Sequence, residues 1–561
     1  MRVPLPSLPV PGLRQAPPLL PELAGEAPAQ VSPPDIAHDP VLLLHHMERT
    51  LVRAHLEAPY AMTPTELRRL RYLIAFARLT RFEPGAARPG GAVPAATPRT
   101  EVDLTAELAP WRELVVDKLS GPLRRETSNV RRLARAREVF YALEEQADEQ
   151  RATLLANHKG EFTATDLDAE IAYKSLALVL GGGGGAGFVY LGAMKRLVAA
   201  GITPSYIIGS SIGAVLGSLF ARSRPVPIED YIEFTKSISY RAVLGPEPMR
   251  RRHGLTSVMS VRIDEVGRPV FAKADGTQIT MDELAIPYDS VVAGVHRGLF
   301  SRLPARFRRQ EMAMAGLRSL PVVPIGLGPM MVSRLWQAAS FFDSRVVKPI
   351  VLGGDALTRR LNVVDAAAFS AAIPGVLHHE TDDPDMVPIL DELMESKQVA
   401  ALVDGGAASN VPVEQAWIMV QRGRIGTRNV LYLALDCFHP RWDPKHLWLT
   451  PLTRAVQLAM VRNAPYADQL IRMNPTLSPA TLAPGPEAIE QSVRWGEASM
   501  DQGMEFVARM LEPIWWSGDR PPRPRPRKAR RTPDIALAPL LAEIKARPRD
   551  PVTRLLERYF S

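Results

Sequence analysis

Two glycine-flanked turns contain the residue types from which this sequence could build a catalytic site. The first, GGGGGAG over residues 181–187, follows the apolar run SLALVL. The second, GSSIG over residues 209–213, matches the pattern G-x-S-x-G and follows the apolar run YII. A serine on a tight turn between a strand and a helix can act as a nucleophile. The backbone amides of a glycine turn can hold a phosphate or the negative charge of a reaction intermediate.

Nucleotide binding is one interpretation of the glycine run, and the sequence lacks the residues that would support it. The pattern G-x-G-x-x-G over 182–187 fits a dinucleotide-binding loop, which also needs an acidic residue at the end of the second strand. The second strand candidate runs instead into Gly-Ser-Ser. A phosphate-binding P-loop needs Lys and then Ser or Thr after the last glycine, where Phe188 stands. Both nucleotide interpretations therefore lack a required side chain.

The serine, the glycine amides and a downstream aspartate suggest acyl-transfer chemistry instead. A serine nucleophile requires a base, and Asp404 follows the short apolar run ALV. We expect Asp404 to accept the proton of Ser211, and the amides of Gly182, Gly183 and Gly184 to form an oxyanion hole. Five further glycines are expected to keep the three turns tight: Gly187, Gly209, Gly213, Gly405 and Gly406.

Four histidines leave a Ser-His-Asp triad open as an alternative. His378 and His379 lie between the serine and the aspartate, whereas His439 and His446 follow the aspartate. In α/β-hydrolases the catalytic histidine comes last along the chain, so only the later two fit that order. We favour a dyad without histidine, and we expect these histidines to be ordinary surface or loop residues.

The elements that must position these residues follow from the pattern of apolar runs. A strand over SLALVL, a helix over FVYLGAMKRLVAAG, a strand over SYIIG and a helix over SSIGAVLGSLFARS form two consecutive strand–turn–helix units. Such units predict a parallel α/β sheet with both turns at one edge. Further strand candidates are YDSVVAGV, KPIVLGG, the run ALV and NVLYLALD.

The three motifs, in this order, resemble the patatin-like phospholipase family, and the similarity covers roughly residues 174–440. The stretches DELAIPYDSVVAGV, AAAFSAAIPGVL and DGGAASNVPV are similar to the family's Pro-containing central strand, its A-S-x-x-x-P-G segment and its D-G-G-x-x-x-N-x-P block. The resemblance implies a three-layer α/β/α sandwich and hydrolysis of lipid acyl esters by a Ser–Asp dyad. It implies no metal and no organic cofactor.

Two positions depart from the family's pattern. Ala186 stands where the glycine-rich loop usually has a basic residue, and Tyr190 stands where a histidine often follows. The resemblance therefore leaves three functions open. The first is a phospholipase A or lysophospholipase, the second is a neutral-lipid (triacylglycerol) lipase, and the third is a catalytically impaired scaffold that binds membranes.

Composition adds expectations about partners and location. The 561 residues carry a net charge of +8, which favours anionic partners, namely phosphate-bearing substrates, anionic membrane surfaces or nucleic acid. The basic, proline-rich stretch RPPRPRPRKARRTP is more typical of a solvated tether than of a specific nucleic-acid site. A single cysteine, Cys437, excludes an intrachain disulfide. Neither a signal peptide nor a spanning helix is expected, so the sequence predicts a cytoplasmic protein with peripheral contact to the membrane.

The chain is expected to contain five regions. The helix signal TPTELRRL, with Thr63 as its N-cap and Glu66 completing a capping box, belongs to the second of them. For a basic stretch with interspersed Phe, Met and Trp over about 297–345, the sequence leaves two alternatives open, a cap over the active site that meets lipid or a solvated pair of helices packed on the core. The regions are a disordered Pro-rich arm (1–40), an α-helical accessory region (41–170), the catalytic domain (174–440), a helical C-terminal part (441–515), and a basic tail with a short helix (516–561).

Overall fold

The computed structural model describes residues 39–92, 99–246, 252–255, 257, 259–300, 345–439, 456 and 460–516. The helices are α1 (Pro40–Glu57), α2 (Pro64–Arg78), α3 (Ala109–Ser120), α4 (Asn129–Asn157), α5 (Ala164–Ala172), α6 (Val189–Ala199), α7 (Ile212–Ala221), α8 (Ile228–Ser237), α9 (Tyr240–Val243), α10 (Ile263–Val270), α11 (Arg297–Phe300), α12 (Val363–Ser370), α13 (Met386–Ser396), α14 (Val413–Gln421) and α15 (Pro486–Leu511). The strands are β1 (Arg81–Phe82), β2 (Val102–Asp103), β3 (Ser175–Leu180), β4 (Tyr206–Ser210), β5 (Leu244–Pro246), β6 (Met259–Val261), β7 (Tyr288–His296), β8 (Val347–Leu352), β9 (Leu377–His378), β10 (Val399–Asp404), β11 (Val430–Asp436) and β12 (Gln469–Arg472).

Three of the predicted segments lie almost entirely outside the described residues: the proline-rich arm over 1–40, the cap over 297–345 and the tail over 516–561. The predicted strands and the two strand–turn–helix units are confirmed, because β3, α6, β4, α7, β7, β8, β10 and β11 form at the expected runs.

A seven-stranded mixed sheet forms the centre of the chain. Strands β7, β4, β3, β11 and β12 lie side by side in that order, and β8 and β10 also pair with β7. Strands β7, β4, β3, β11 and β12 run parallel to one another, whereas β8 and β10 run antiparallel to β7. Parallel strands are usually buried on both faces, and β3 is buried at all of its residues.

The order of pairing along β7 brings the ends of two strands together. Strand β4 pairs with the first part of β7 and ends with Ser210 opposite Val291. Strand β10 pairs with the rest of β7 and ends with Asp404 opposite Val292. Strand β8 pairs with β7 from Ser290 to Val295, a stretch that overlaps the parts of β7 paired with β4 and with β10, so β8 occupies one edge of β7. Strands β4 and β10 therefore share the other edge of β7. Their C-terminal ends therefore meet at adjacent positions.

Helices cover both faces of the sheet, which gives a three-layer α/β/α sandwich. Successive strand side chains point to opposite faces. Leu176 and Leu178 of β3 accordingly enter the largest core, with side chains of α6, α7 and α15. Ala177 and Val179 enter a second core, with side chains of α14.

The N-terminal helices have a core of their own and also contact the edge of the sheet. The capping box of α2 is confirmed, with Thr63 accepting from the Glu66 N–H at 3.2 Å. On α1, the guanidinium group of Arg53 donates to the Asp468 carbonyl at 2.7 Å, and the His46 ring nitrogen bonds the Pro465 carbonyl at 2.6 Å. Helix α1 thereby covers the chain just before the edge strand β12.

The C-terminal part differs from the expectation of helix alone, because it contributes β12 to the sheet. Four residues pair with the end of β11, and two of them are only half-buried. A strand this short at a sheet edge has no alternating apolar pattern, which explains why the sequence analysis missed it. Helix α15 packs closely on α6, where a Cβ on Gly192 would lie 1.9 Å from the Val493 carbonyl oxygen.

No helix within the described part of the chain is long and apolar enough to cross a membrane.

Candidate active site

Ser211 occupies a strained turn between β4 and α7. Its backbone has φ 52° and ψ −128°, a conformation that residues with a side chain rarely adopt. The residue is the N-cap of α7, so its side chain lies at the positive end of that helix. Its N–H donates to the Ser370 hydroxyl at 2.8 Å, and that hydroxyl donates to the Val291 carbonyl at 2.6 Å. The hydrogen bonds fix the turn that carries the predicted nucleophile.

Asp404 ends β10 beside this turn, with a carboxyl group that is almost completely buried. One oxygen, Oδ1, accepts the Gly406 N–H at 2.7 Å. The other, Oδ2, is buried and accepts no hydrogen bond within the described residues. Burial raises the pKa of Asp404 to about 6, although the neighbouring Ser211 side chain and the Gly406 N–H both act to lower it. A carboxylate with a free oxygen and a raised pKa is suited to accept a proton.

The three glycines predicted to form an oxyanion hole are not equivalent. The N–H of Gly182 donates to the Asn410 carbonyl at 3.1 Å, so it is already used. The N–H groups of Gly183 and Gly184 have no acceptor among the residues described. Gly182 still lies against the nucleophile, because a Cβ built on it would be 2.9 Å from the Ser211 Cβ. Gly183 and Gly184 are therefore the free donors on this loop.

Asn410 joins the two turns. Its carbonyl accepts both the Gly182 N–H at 3.1 Å and the Ser210 hydroxyl at 2.6 Å. This residue is the asparagine of the block DGGAASNVPV. The sequence alone predicts no role for Asn410, because a hydrogen bond through a backbone carbonyl leaves no signal in residue type.

The five supporting glycines lie where neighbouring chain segments approach closely. A Cβ on Gly209 or Gly213 would meet a backbone oxygen at 2.3 Å, and a Cβ on Gly405 would meet one at 1.9 Å. A Cβ on Gly187 would lie 2.4 Å from the Ile212 side chain, and Gly406 supplies the N–H that holds Asp404. At each of these positions, a side chain larger than hydrogen would force the surrounding atoms to shift.

The two departures from the family pattern have different surroundings. Ala186 is fully buried in the main core, so its methyl group contributes packing. Tyr190 is also fully buried, and its hydroxyl lies 3.0 Å from the Gly181 carbonyl oxygen and 3.1 Å from that of Leu435. The same hydroxyl accepts the Cys437 N–H at 3.2 Å. Tyr190 thus ties the start of the glycine loop to the end of β11.

An apolar cavity of about 130 Å³ adjoins Ser211. Ser211 and Gly184 form part of its wall, and the rest comes mainly from α7, α8, α10 and α12. The other hydroxyl groups in the wall, Ser218 and Thr235, each donate to a carbonyl of their own helix at 2.8 Å. The wall includes Phe188, Leu216, Phe234, Val270, Phe271 and Val364. Apart from the Ser211 hydroxyl and the Gly184 N–H, no lining group within the described residues offers a free donor or acceptor, and such a cavity favours an alkyl chain as its occupant.

The expectation for His378 and His379 as surface or loop residues is wrong, because both are buried. His378 donates from Nδ1 to the Leu255 carbonyl at 2.8 Å. His379 contacts Asp365 at 2.9 Å, and although burial lowers its pKa, the hydrogen bond and the charge of Asp365 outweigh this and raise it. These partners let both rings be buried, and neither ring bonds to Asp404. His439 follows β11 in a loop, and His446 lies outside the described residues.

A serine on a strained strand-to-helix turn, a buried aspartate beside it and an adjoining apolar cavity define an α/β protein with the site geometry of a serine hydrolase. Residues 178–417 match the family model of the patatin-like phospholipases, and the chain therefore contains a patatin-like phospholipase domain. All of the predicted site residues lie inside the matched segment.

Several named proteins are similar to shorter stretches of the chain. Lysophospholipase NTE1 of Coccidioides immitis is 44% identical over 68 residues, which is 12% of this chain and 4% of that protein. Lysophospholipase nte1 of Emericella nidulans is 41% identical over 68 residues, with the same coverage of both chains. Neuropathy target esterase sws of Drosophila grimshawi is 28% identical over 149 residues, which is 26% of this chain and 10% of that protein. The chain thus spans a tenth or less of these relatives.

Proposed function

We propose that the protein is a serine lipid acyl hydrolase of the phospholipase A or lysophospholipase type. The observation that carries this proposal is the apolar cavity, because Ser211 and the Gly184 N–H lie in a wall that is otherwise apolar or internally hydrogen-bonded. An acyl chain placed there would bring its ester carbonyl to the serine. The relatives are named lysophospholipase and esterase, which agrees with this substrate class.

The proposed reaction begins with attack of the Ser211 oxygen on the ester carbonyl carbon. Asp404 Oδ2 takes the serine proton, and the N–H groups of Gly183 and Gly184 donate to the oxygen on which negative charge develops. Collapse of the tetrahedral intermediate expels the alcohol, which takes the proton from Asp404. Water then attacks the acyl-enzyme carbonyl and loses a proton to Asp404. Collapse of this second intermediate breaks the ester bond to Ser211, whose oxygen takes the proton back from Asp404 as the fatty acid is released.

The positions of the two groups support a dyad. Asp404 is the carboxylate adjacent to Ser211, and its Oδ2 has no hydrogen-bond partner within the described residues. An unpaired buried oxygen next to a hydroxyl group is available to accept its proton, and hydrogen bonds of this kind often shorten only when substrate binds.

We further propose that the protein acts at a lipid surface, since esters of long acyl chains reside in membranes. Flotation with liposomes tests this directly, by comparing the full chain with a variant that lacks residues 300–340. Loss of flotation in that variant would support membrane contact through the predicted cap, and unchanged flotation would count against the cap.

Labelling with a fluorophosphonate tests the proposed nucleophile. The wild type should be labelled and Ser211→Ala should not. Ser218→Ala is a matched control, because Ser218 lines the same cavity and its hydroxyl is bonded within its own helix.

Hydrolysis of phosphatidylcholine, lysophosphatidylcholine and triacylglycerol by the same three proteins then distinguishes a phospholipase from a neutral-lipid lipase. If the wild type is not labelled, the result would favour the third alternative, a catalytically impaired scaffold that binds membranes.

A further inference from the structure

A segment beyond the matched domain touches the glycine loop. Residues Ser478 to Leu482 lie in the connection between β12 and α15, well past residue 417. We call them the C-terminal loop segment. It is anchored just upstream, where the Asn474 N–H donates to the Ser499 hydroxyl of α15 at 3.2 Å.

The C-terminal loop segment bonds directly to the loop that carries the free donors. The Gly185 N–H donates to the Pro479 carbonyl at 3.0 Å. A Cβ on Gly184 would lie 2.3 Å from the same carbonyl oxygen, and a Cβ on Gly185 would lie 2.3 Å from that of Thr481. The glycines at 184 and 185 therefore fit against a backbone that the matched domain does not supply.

Leu482, at the end of the segment, forms part of the cavity wall. Its Cδ2 atom lies 3.5 Å from the position that a Cβ of Gly184 would occupy. Its side chain also packs against a small core that contains Val261, Val376 and Leu377. Because Gly184 and Ser211 line the same cavity, Leu482 lies at the end where the reacting carbonyl would be held.

We propose that Leu482 is a specificity-determining residue that sets the width of the acyl site beside the ester carbonyl. This inference rests on the proposed hydrolase function. A leucine at this point leaves room for an unbranched acyl chain, and its methyl groups occupy the space that a branch on the carbon next to the carbonyl would need. The C-terminal loop segment thus contributes to substrate choice although it lies outside the domain that the family model matches.

Two isomeric esters, p-nitrophenyl butyrate and p-nitrophenyl isobutyrate, measure this width, because they differ only in a branch next to the carbonyl. The ratio of kcat/KM for isobutyrate to that for butyrate is the readout. Leu482→Ala should raise the ratio by about tenfold or more, which is the discrimination that one methyl group in an apolar site provides. Leu482→Phe should lower it. Misfolding cannot move the ratio in opposite directions in the two variants.

Leu477→Ala is the matched control, because Leu477 is a partly buried leucine of the same connection that packs on the main core and does not line the cavity. Its ratio should equal that of the wild type. An unchanged ratio in both Leu482 variants, or the same change in Leu477→Ala, would overturn the inference while leaving the hydrolase intact. A wild type that cleaves neither ester and resists the fluorophosphonate would instead refute the proposed function itself.

Discussion

Replacing Asp404 with asparagine tests the proposed base through stability as well as activity. Burial raises the pKa of this carboxyl from its ordinary 3.8 to about 6 in the folded protein. Since one pKa unit corresponds to about 1.4 kcal/mol, the ionised carboxylate costs the fold about 3 kcal/mol relative to the unfolded chain. The raised pKa means that this cost is present in full above about pH 6 and disappears below about pH 4.

Asparagine removes the charge and keeps an oxygen that can accept the Gly406 N–H. Asp404→Asn should therefore be more stable than the wild type by up to about 3 kcal/mol at pH 8, and by roughly half of that at pH 5. Thermal unfolding of both proteins at the two pH values measures the difference. Ser211→Ala is the control, because it is expected to be inactive and to retain the carboxyl, so it should keep the pH-dependent destabilisation.

The same substitution should remove the proton acceptor, which lowers kcat/KM by about a hundredfold to ten-thousandfold. In the wild type, kcat/KM should be level above about pH 6 and fall tenfold for each pH unit below it, because only the ionised carboxylate accepts a proton. Asp404→Asn with near-normal hydrolysis would refute the assignment of the base. A stability difference that does not grow between pH 5 and pH 8 would refute the account of the buried charge.

Two further substitutions test groups that hold the site, and a third, with its control, tests the packing of α6 against α15. Ser370→Ala leaves the Ser211 N–H without its acceptor, and we expect kcat to fall by about ten- to a hundredfold with little change in KM. Tyr190→Phe removes the hydroxyl that links Gly181 to the Cys437 N–H, so the rate of fluorophosphonate labelling should fall and the unfolding free energy should decrease by about 1–3 kcal/mol. Gly192→Ala drives a methyl group into a carbonyl of α15 and should lower the free energy of unfolding by about 1–3 kcal/mol or more. Gly121→Ala is the control, because a Cβ there meets nothing within 4 Å, and it should leave the melting temperature unchanged or slightly higher.

Local patterns were sufficient to predict the elements that carry Ser211 and Asp404. Apolar runs followed by glycine turns gave the central strands, and the capping box gave the start of α2. The pairing of β4 and β10 along one edge of β7 could not be read from the sequence, because it joins segments far apart in the chain. That pairing is what brings the two predicted residues together.

The remaining features of the site depend on contacts that residue type does not record. Gly182, Gly183 and Gly184 are equivalent in sequence, and only the hydrogen bond to the backbone of Asn410 distinguishes Gly182 from the other two. The burial of His379 depends on its contact with Asp365. In the same way, the Pro479 carbonyl reaches Gly185 from a segment that carries no recognisable motif.

The place of β11 in the sheet has a consequence for how the protein is made. Strand β3 pairs with β4 on one side and with β11 on the other, and β11 lies beyond the end of the matched domain. During synthesis β3 and β4 leave the ribosome long before β11, so β3 presents an open edge until translation has passed residue 436. A fragment that stops at residue 417 would keep that edge open permanently. The shortest chain that folds without aggregating should therefore extend past residue 436, beyond the segment that matches the family model.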